Sequence, residues 1–371
     1  MTPWISKLYK LGLRCANPDI LFWIMPFMMI LLVIGTLSQK ELGIMESQSI
    51  YFSSFFYMWG FVPLPGGLTL ISILFINLLA KFLFKSEWCW ARAGTHISHF
   101  GILILIVGGG ISYFSSYEGY LAIEEGRTES QVKDYHQRML VIKKDDAIVY
   151  ESPFESISEG LVITPAHNSF LITITKACYN CGITKRAESD QDGWTSPGRF
   201  MQLNTEKRLP QDEENLTGIE FSVKGAGKNL DGKYLTFDKF PKPPRIQKDN
   251  QTFIISIERS TRNLPFSITL DKFKQDFHAG TDLAKSYQSL VTVTEGGKSW
   301  PALIEMNEPY RYRGYTFYQS SFDLSGEKPY TILAVVENKG RIFPYIATLI
   351  IAFGLMLHLV LRVSGKGKEN A

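Results

Sequence analysis

The chain has 371 residues, of which 45% are hydrophobic and 20% charged, and its formal net charge at pH 7 is +3. These averages would suit a soluble protein, but four stretches contain no Asp, Glu, Lys or Arg, and each is long enough to span a bilayer. The four stretches are residues 20–38, 47–80, 93–117 and 342–361. The composition therefore excludes a plain soluble enzyme, a disordered protein and, with only four Cys in this length, a small disulfide scaffold.

The first apolar run follows Lys7, Lys10 and Arg14, so its beginning resembles a signal peptide. The run is too long for a removed signal, and no small-x-small cleavage site follows it. We therefore predict a retained anchor helix over about 20–37, in which Pro26 bends the helix without ending it.

The second charge-free stretch exceeds the length of one helix, and Pro63, Pro65 and the pair Gly66 and Gly67 interrupt it. Its first part interleaves Tyr and Trp with Ser, a composition typical of the headgroup level of a membrane. The sequence therefore predicts an interfacial segment over about 48–62. A second membrane helix follows over about 68–84.

Two further membrane helices are predicted, over about 95–113 and about 342–361. The first of these ends in Gly108, Gly109 and Gly110, small residues that permit close helix packing. The predicted regions in chain order are a membrane region over 1–114 with three helices, an external domain over 115–341, and the fourth helix with a tail over 342–371.

The distribution of positive charge predicts the orientation. Ten Lys and Arg lie outside residues 115–341, and nine of them lie before the first helix, between the second and third, or after the fourth. With four spans these three places share one face of the membrane, which the positive-inside rule makes cytoplasmic. Residues 115–341 hold 29 Lys and Arg against 31 Asp and Glu, so we expect them outside a cell inner membrane, in the periplasmic or extracytoplasmic space.

The external segment has the pattern of a β protein. Runs such as SFLITITKA and TILAVVEN alternate or are β-branched, and Gly, Pro, Asn and Asp lie between them. About ten short strands in this length predict a sandwich or an open barrel. The predicted fold class is four transmembrane helices plus a large external all-β domain.

Three His lie within the predicted membrane helices. Helix rise places His99 about 10 Å and His96 about 6 Å beyond Arg92, and His358 about 6 Å before Arg362. All three are thus in the inner leaflet, where ionisable side chains usually face a bundle interior or a cavity and serve a function. Imidazole is also the usual axial ligand of heme iron. The residues alone leave open whether these His bind iron or form ordinary hydrogen bonds between helices.

Several motifs together resemble the ResB (CcsB) family of System II cytochrome c biogenesis proteins. They are GTLSQ after the first helix, LFINLLAKF in the second, SHFGILILIVGG in the third and NEPYRYRGYTFYQSSFD before the fourth. The resemblance implies a subunit of a cytochrome c synthetase (heme lyase) complex. Such a complex moves heme across the membrane and attaches it covalently to apocytochrome c. The resemblance implies no activity for this chain alone, so its own standing as an enzyme stays open.

The resemblance also implies a site and partners. It makes His99 the axial ligand of the heme iron, with heme b as the transported substrate, and it supports His96 less and His358 least. The implied partners are a CcsA-type Trp-rich membrane subunit, apocytochrome c and a thioredoxin-like ResA-type protein. Two other functions remain open: a non-catalytic assembly scaffold for the partner, and a b-type electron-transfer subunit with His99 and His358 as paired ligands.

Cys178 and Cys181 form CYNC in the external domain, a spacing shared by redox dithiols, zinc ligand pairs and tight disulfides. Zinc would need a second pair, but Cys15 and Cys89 lie on the other side of the predicted membrane. Because the compartment is oxidising, we predict a structural disulfide.

The remaining external residues predict little chemistry. His136, His167 and His278 have no metal-ligand spacing and are expected at the surface or hydrogen-bonded. An aromatic cluster beside Arg311 and Arg313 is either a docking face or a well-packed strand; its members are Tyr310, Tyr312, Tyr315, Phe317 and Tyr318. The sequence has no phosphate-binding glycine loop, no Ser/His/Asp set and no basic external patch, so hydrolase, nucleotide and nucleic-acid functions are not supported.

Overall fold

The computed structural model describes residues 3–165, 170–278, 280 and 284–369. Within these residues the chain forms two compact units. The first holds the helices and a short hairpin, and the second, over residues 118–312 and 316–335, holds the other strands. His167, one of the external His, lies outside the described residues.

The helices of the first unit are α1 Pro3–Cys15, α2 Asp19–Ser47, α3 Gly67–Ala80, α4 Ala93–Ser115 and α5 Phe343–Glu369. Among the described residues, four helical segments are long and apolar enough to cross a membrane. With the short turns that continue the helices, they are Asp19–Phe52, Gly67–Lys85, Trp90–Ser115 and Phe343–Ser364. The prediction of four long apolar helices is confirmed.

Helix α2 continues beyond the apolar run, through three charged residues, to Ser47. Lys and Glu are good helix formers, so the end of the apolar run need not end the helix. Gly43 interrupts the helical geometry with a φ of 80°, a conformation that favours glycine. The chain then turns back along α2, because Ser38 Oγ donates to Ser47 Oγ at 2.9 Å and the Phe52 ring packs on Gly35.

A β-hairpin connects this turn to α3. Its strands, β1 Phe56–Trp59 and β2 Val62–Pro65, pair antiparallel within the segment that includes the predicted interfacial residues. Tyr57 is buried and its ring lies 5.0 Å from that of Tyr51, whereas Phe61 at the tip is 99% exposed. The hairpin therefore has one packed side chain toward the helices and an apolar outer surface.

Helices α4 and α5 pack antiparallel at very close range. A Cβ on Gly94 would collide with the backbone of His358, and one on Gly101 would crowd Ile351. Between them, Ser98 Oγ donates to the Gly94 carbonyl at 3.0 Å. Small residues at these positions let the two backbones approach, as is common between membrane helices.

The three consecutive glycines of α4 do not act alike. Gly108 lies against Phe343, whereas a Cβ on Gly109 or Gly110 would meet open space. The prediction that all three support close packing is therefore right only for Gly108. Successive helix residues point about 100° apart, so only one of three adjacent positions can face the neighbouring helix.

The other strands are β3 Tyr117–Glu124, β4 Thr128–Lys144, β5 Ala147–Pro153, β6 Val162–Ile163, β7 Leu171–Cys178, β8 Cys181–Lys185, β9 Met201–Thr205, β10 Gly218–Lys224, β11 Gly232–Phe237, β12 Arg245–Lys248, β13 Gln251–Phe277, β14 Ala284–Glu295, β15 Lys298–Glu305, β16 Tyr310–Tyr312, β17 Tyr315–Asp323 and β18 Tyr330–Glu337. The main sheet has ten strands, in the order β15-β14-β13-β4-β3-β18-β17-β16, with β12 beside β13 and β5 beside β4. A second sheet has the order β11-β10-β7-β6, and β8 pairs with β9.

The main sheet closes nearly into a barrel, because its two end strands meet. Trp300 Nε1 on β15 donates to the Tyr310 hydroxyl on β16 at 3.0 Å, and the Trp300 ring lies 5.1 Å from that of Tyr312. Phe317 and Val291, on strands far apart in the sheet order, are both fully buried. A closed sheet leaves few strand edges exposed.

Strand β13 is long enough to take part both in the nearly closed barrel and in the packing against the four-stranded sheet. It has 27 residues and pairs with β4, β12 and β14. Its register against β4 shifts between Asn263 and Ile268, around Pro265, which has no N–H for the ladder. Such irregularities bend a strand.

The four-stranded sheet packs face to face with the first half of β13 and the adjoining part of β4. Ile172, Ile219 and Phe221 from that sheet share a hydrophobic core with Ile142 and Ile255. The second unit thus combines a sandwich with a nearly closed barrel. The predicted fold class, four apolar helices and a large all-β domain, is confirmed.

Candidate functional site

His96 and His99 lie in the first two turns of α4, three residues apart and so on one side of the helix. Both side chains are half-buried. The helix begins at Ala93, directly after a short 3₁₀ turn over Trp90–Arg92. These two His therefore lie beside the loop that joins α3 to α4, as the sequence predicts.

The side chain of His96 contacts two residues of this loop. Its Nε2 is 2.8 Å from the Glu87 carbonyl oxygen, and its ring lies 4.9 Å from the Trp88 ring at an angle of 31°. An ion pair of 2.8 Å between Arg92 and Glu87 holds the same loop. The ordinary hydrogen-bonding interpretation therefore describes His96 well.

His99 has different surroundings. Within the part of the chain that the structure describes, its ring nitrogens make no hydrogen bond. Beside it on α4, Phe100 stacks on Phe82, with ring centroids 6.2 Å apart and planes at 25°. His99 is thus a half-buried imidazole whose chain neighbour, Phe100, belongs to a pair of stacked aromatic rings.

His358 lies on α5, where its backbone packs against Gly94. Its Nδ1 shares a hydrogen bond of 3.2 Å with the Thr95 hydroxyl. Metal-ligating His usually has one ring nitrogen held by a neighbour, which orients the other nitrogen. The sequence pattern gives no sign of Thr95 as a partner, because only the pairing of α4 with α5 brings it to His358.

The three His differ in how well they fit a heme iron ligand. Among the residues that the structure describes, His99 makes no side-chain hydrogen bond and His358 makes one through Nδ1, whereas His96 uses Nε2 for a backbone carbonyl. Among the described residues no three His, Cys, Asp or Glu side chains gather around a common point. Axial ligation of a heme needs only one or two imidazoles, so the donor set present at α4 fits this group.

Cys178 and Cys181 form a disulfide with a Cα–Cα distance of 5.5 Å. The two residues are only 2% and 3% exposed, and they pack on Leu203. Exchange with an external thiol requires access to a sulfur atom. Burial therefore favours a structural bond over a reactive one.

A polar network that the sequence analysis missed fixes the disulfide loop. Arg138 on β4 is completely buried and donates from Nη1 to the Tyr179 hydroxyl at 2.8 Å and to Asp212 Oδ2 at 3.0 Å. Tyr179, which lies between the two Cys, donates in turn to Asp212 Oδ1 at 2.8 Å. The burial of Arg138 could have been predicted from the alternation of side chains along β4, which places Arg138 on the same face as Leu140 and Ile142.

The network shifts the titration of its members. Burial alone would raise the pKa of Asp212, but hydrogen bonds from His136 and Tyr179 and the charge of Arg138 lower this pKa to about 2. Burial, with the hydrogen bond to Asp212, raises the pKa of Tyr179 to about 12. The hydrogen bond to Asp212 raises the pKa of His136 despite partial burial. His136 is thus hydrogen-bonded, as expected for a satisfied polar residue.

The aromatic cluster beside Arg311 is part of the barrel closure. Phe317 is fully buried, and the Phe266 ring lies 6.0 Å from it and 5.1 Å from the Tyr312 ring. Arg311 itself is exposed. For the inward-facing aromatics, the structure supports the packed-strand interpretation over a docking face.

Comparison with known proteins gives two matches. Residues 245–347, which run from β12 to the start of α5, match the model of the ResB-like family. The chain is also 19% identical over 354 residues to protein NrfI of Wolinella succinogenes, a match that covers 88% of this chain. It spans only 32% of the length of NrfI. The family match includes none of the three membrane His.

Proposed function

Because residues 245–347 match the model of the ResB-like family, we propose that this chain is the ResB-type membrane subunit of a cytochrome c synthetase complex. Its general role is in cytochrome c biogenesis. Its specific role is to take heme b at the inner leaflet and to help deliver it for covalent attachment to apocytochrome c. The partner is a CcsA-type Trp-rich membrane subunit, and a thioredoxin-like ResA-type protein keeps the apocytochrome thiols reduced.

The observation that carries this proposal is the state of His99. A half-buried imidazole with no hydrogen bond in the described structure is costly unless something binds it. Neutral imidazole is a good ligand for heme iron. His99 therefore serves as the axial ligand, and His96, held by Glu87, shapes the loop beside it.

The orientation follows from charge. Lys81, Lys85 and Arg92 lie between α3 and α4, on the face that the positive-inside rule makes cytoplasmic. His99 then faces the inner leaflet of the cell inner membrane, where heme synthesised inside the cell arrives. The second unit lies outside, where c-type cytochromes are assembled.

The part of this chain in the reaction is positioning. Thioether formation joins two Cys thiols to the heme vinyl groups, and it proceeds when reduced heme and thiols are held together. The second unit is a rigid support for the partner or the apocytochrome, since its barrel closes on itself and the disulfide loop is fixed. The chain supplies ligand and support, and the complex performs the attachment.

The test is co-expression of this chain with its partner and a c-type reporter, using His99→Ala and the matched control His96→Ala. We expect His99→Ala to lose most of the heme that co-purifies with the complex and to stop reporter maturation, because a methyl group cannot ligate iron. His96→Ala should retain most of both. External imidazole should restore part of the heme in His99→Ala.

Three results would contradict the proposal. Full heme content and normal maturation in His99→Ala would show that this His is not the ligand. Maturation that needs the chain while no heme depends on it would identify an assembly scaffold. Stoichiometric heme in the chain alone, lost equally in His99→Ala and His358→Ala, would identify a b-type electron-transfer subunit.

A further inference from the structure

Lys81, which directly precedes Phe82 at the end of α3, is more buried than is usual for a lysine. Lys81 is half-buried at the junction of α3 with its terminal π-helical turn, whereas Lys85, at the end of that turn, is exposed. Within the described residues Lys81 forms no ion pair. A partly buried ammonium group without an anion is unfavourable, because burial removes the water that solvates it.

The two other cations between α3 and α4, Lys85 and Arg92, differ from Lys81 in their surroundings. Arg92 pairs with Glu87 at 2.8 Å. Lys85 is exposed, where water solvates it. Lys81 directly precedes Phe82, whose ring lies 6.5 Å from the His96 ring and 6.2 Å from the Phe100 ring, so the turn that ends α3 packs against α4 around His99. An anion that pairs with Lys81 is therefore expected close to the group that His99 binds.

Aromatic rings extend the same surface. Phe82 follows Lys81 directly, and its ring stacks on Phe100, one residue after His99. Phe82 also contacts the Trp88 ring edge to face at 4.9 Å. Phe100 is 47% exposed and Trp88 66% exposed, so these rings offer apolar faces to a ligand. Flat aromatic surfaces favour contact with a flat conjugated ligand.

We propose that Lys81 binds a propionate carboxylate of the heme that His99 ligates, while Phe82 and Phe100 contact the porphyrin ring. This inference rests on the proposed function and deepens it, since it names a residue that selects the substrate. Heme b carries two carboxylates, and moving an anion into the inner leaflet is unfavourable unless a cation compensates it. The site therefore selects anionic dicarboxylate porphyrins over neutral ones.

The test compares two ligands on the purified two-subunit complex, heme and heme dimethyl ester, which has the same iron and ring but no carboxylate charge. Binding is followed by the shift of the Soret band. The variants are Lys81→Met, Lys81→Arg and the matched control Lys85→Met. Lys81→Met removes the charge and keeps an apolar stem of similar length.

We expect Lys81→Met to weaken heme binding about tenfold, as for loss of a hydrogen bond between charged groups. Its affinity for the dimethyl ester should stay unchanged, as should the Soret position of bound heme, because His99 still ligates the iron. Lys81→Arg should bind heme as the unchanged complex does. Lys85→Met should have no effect on either ligand.

The outcomes separate this inference from the proposed function. Unchanged heme affinity in Lys81→Met, with loss of heme in His99→Ala, would overturn the role of Lys81 alone. An equal loss of heme and of ester would show a structural effect instead of charge recognition, and an equal effect in Lys85→Met would show a general surface potential. If heme in the complex does not depend on His99, the proposed function itself fails.

Discussion

Gly94 on α4 lies directly against the backbone of His358 on α5, so that a single Cβ at Gly94 would collide with it. The same crossing places the Thr95 hydroxyl at His358 Nδ1. Contact between the two backbones and orientation of the imidazole are therefore two results of one helix pairing.

Gly94→Ala should destabilise the folded chain by about 1–3 kcal/mol, because an added methyl group must push α5 away. Gly109→Ala is the matched control, since a Cβ there meets open space, and it should be close to neutral. Thermal unfolding of the full chain in detergent measures the difference. Equal behaviour of the two variants would mean that α4 and α5 do not pack at Gly94.

The Asp212 network should make stability depend on pH. The pKa of Asp212 is about 2 in the folded chain, below its ordinary value of 3.8, so its contribution is complete above about pH 4 and is lost as the pH falls toward 2. The pKa of His136 is raised above its ordinary value of 6.5, so its contribution is complete below about pH 6.5 and is lost as the pH rises through the folded value.

Asp212→Asn should flatten the acid side of the stability profile, and His136→Gln should flatten the neutral side. The measurement is the Tm of the full chain in detergent from pH 3 to pH 8, beside the unchanged protein. An acid limb of the same steepness in Asp212→Asn would show that other carboxylates control acid unfolding.

The double substitution Cys178→Ser and Cys181→Ser should lower the stability of the β unit by about 1–3 kcal/mol, as for a disulfide that closes a short loop. Reporter maturation should be largely unchanged, because both sulfurs are buried and the Arg138 contact to Tyr179 still holds the loop. Thiol trapping in cells reports the bond. Loss of maturation at a normal protein level would assign the pair a role in electron or thiol transfer.

Reporter fusions should show both chain ends inside and the β unit outside. A periplasmic phosphatase fused after Lys368 or within 85–92 should be inactive, and one fused near Asn215 should be active, because nine of ten flanking cations lie on one face. Activity of the fusion after Lys368 would reverse the orientation.

Patterns of a few consecutive residues were sufficient to predict which parts of this chain form helices and which form strands. Absence of charge over a bilayer length predicts the four helices, and alternation with β-branched residues predicts the strands, because both signals lie within a few consecutive residues. The position of His99 in the third helix and the CYNC pair were visible for the same reason. The length of α2 was not, since charged residues after an apolar run are compatible with either more helix or a loop.

What only the tertiary structure decided are contacts between residues far apart in the chain. The sequence does not state that Thr95 meets His358, that Phe82 stacks on Phe100, or that Arg138 meets Asp212, because each pair depends on how whole helices and strands pack. The choice between sandwich and barrel was of this kind too. A strand pattern specifies which side chains are buried, but the order of the strands and the bend of β13 around Pro265 decide what those side chains pack against. In this chain, the second unit contains both a sandwich and a nearly closed barrel.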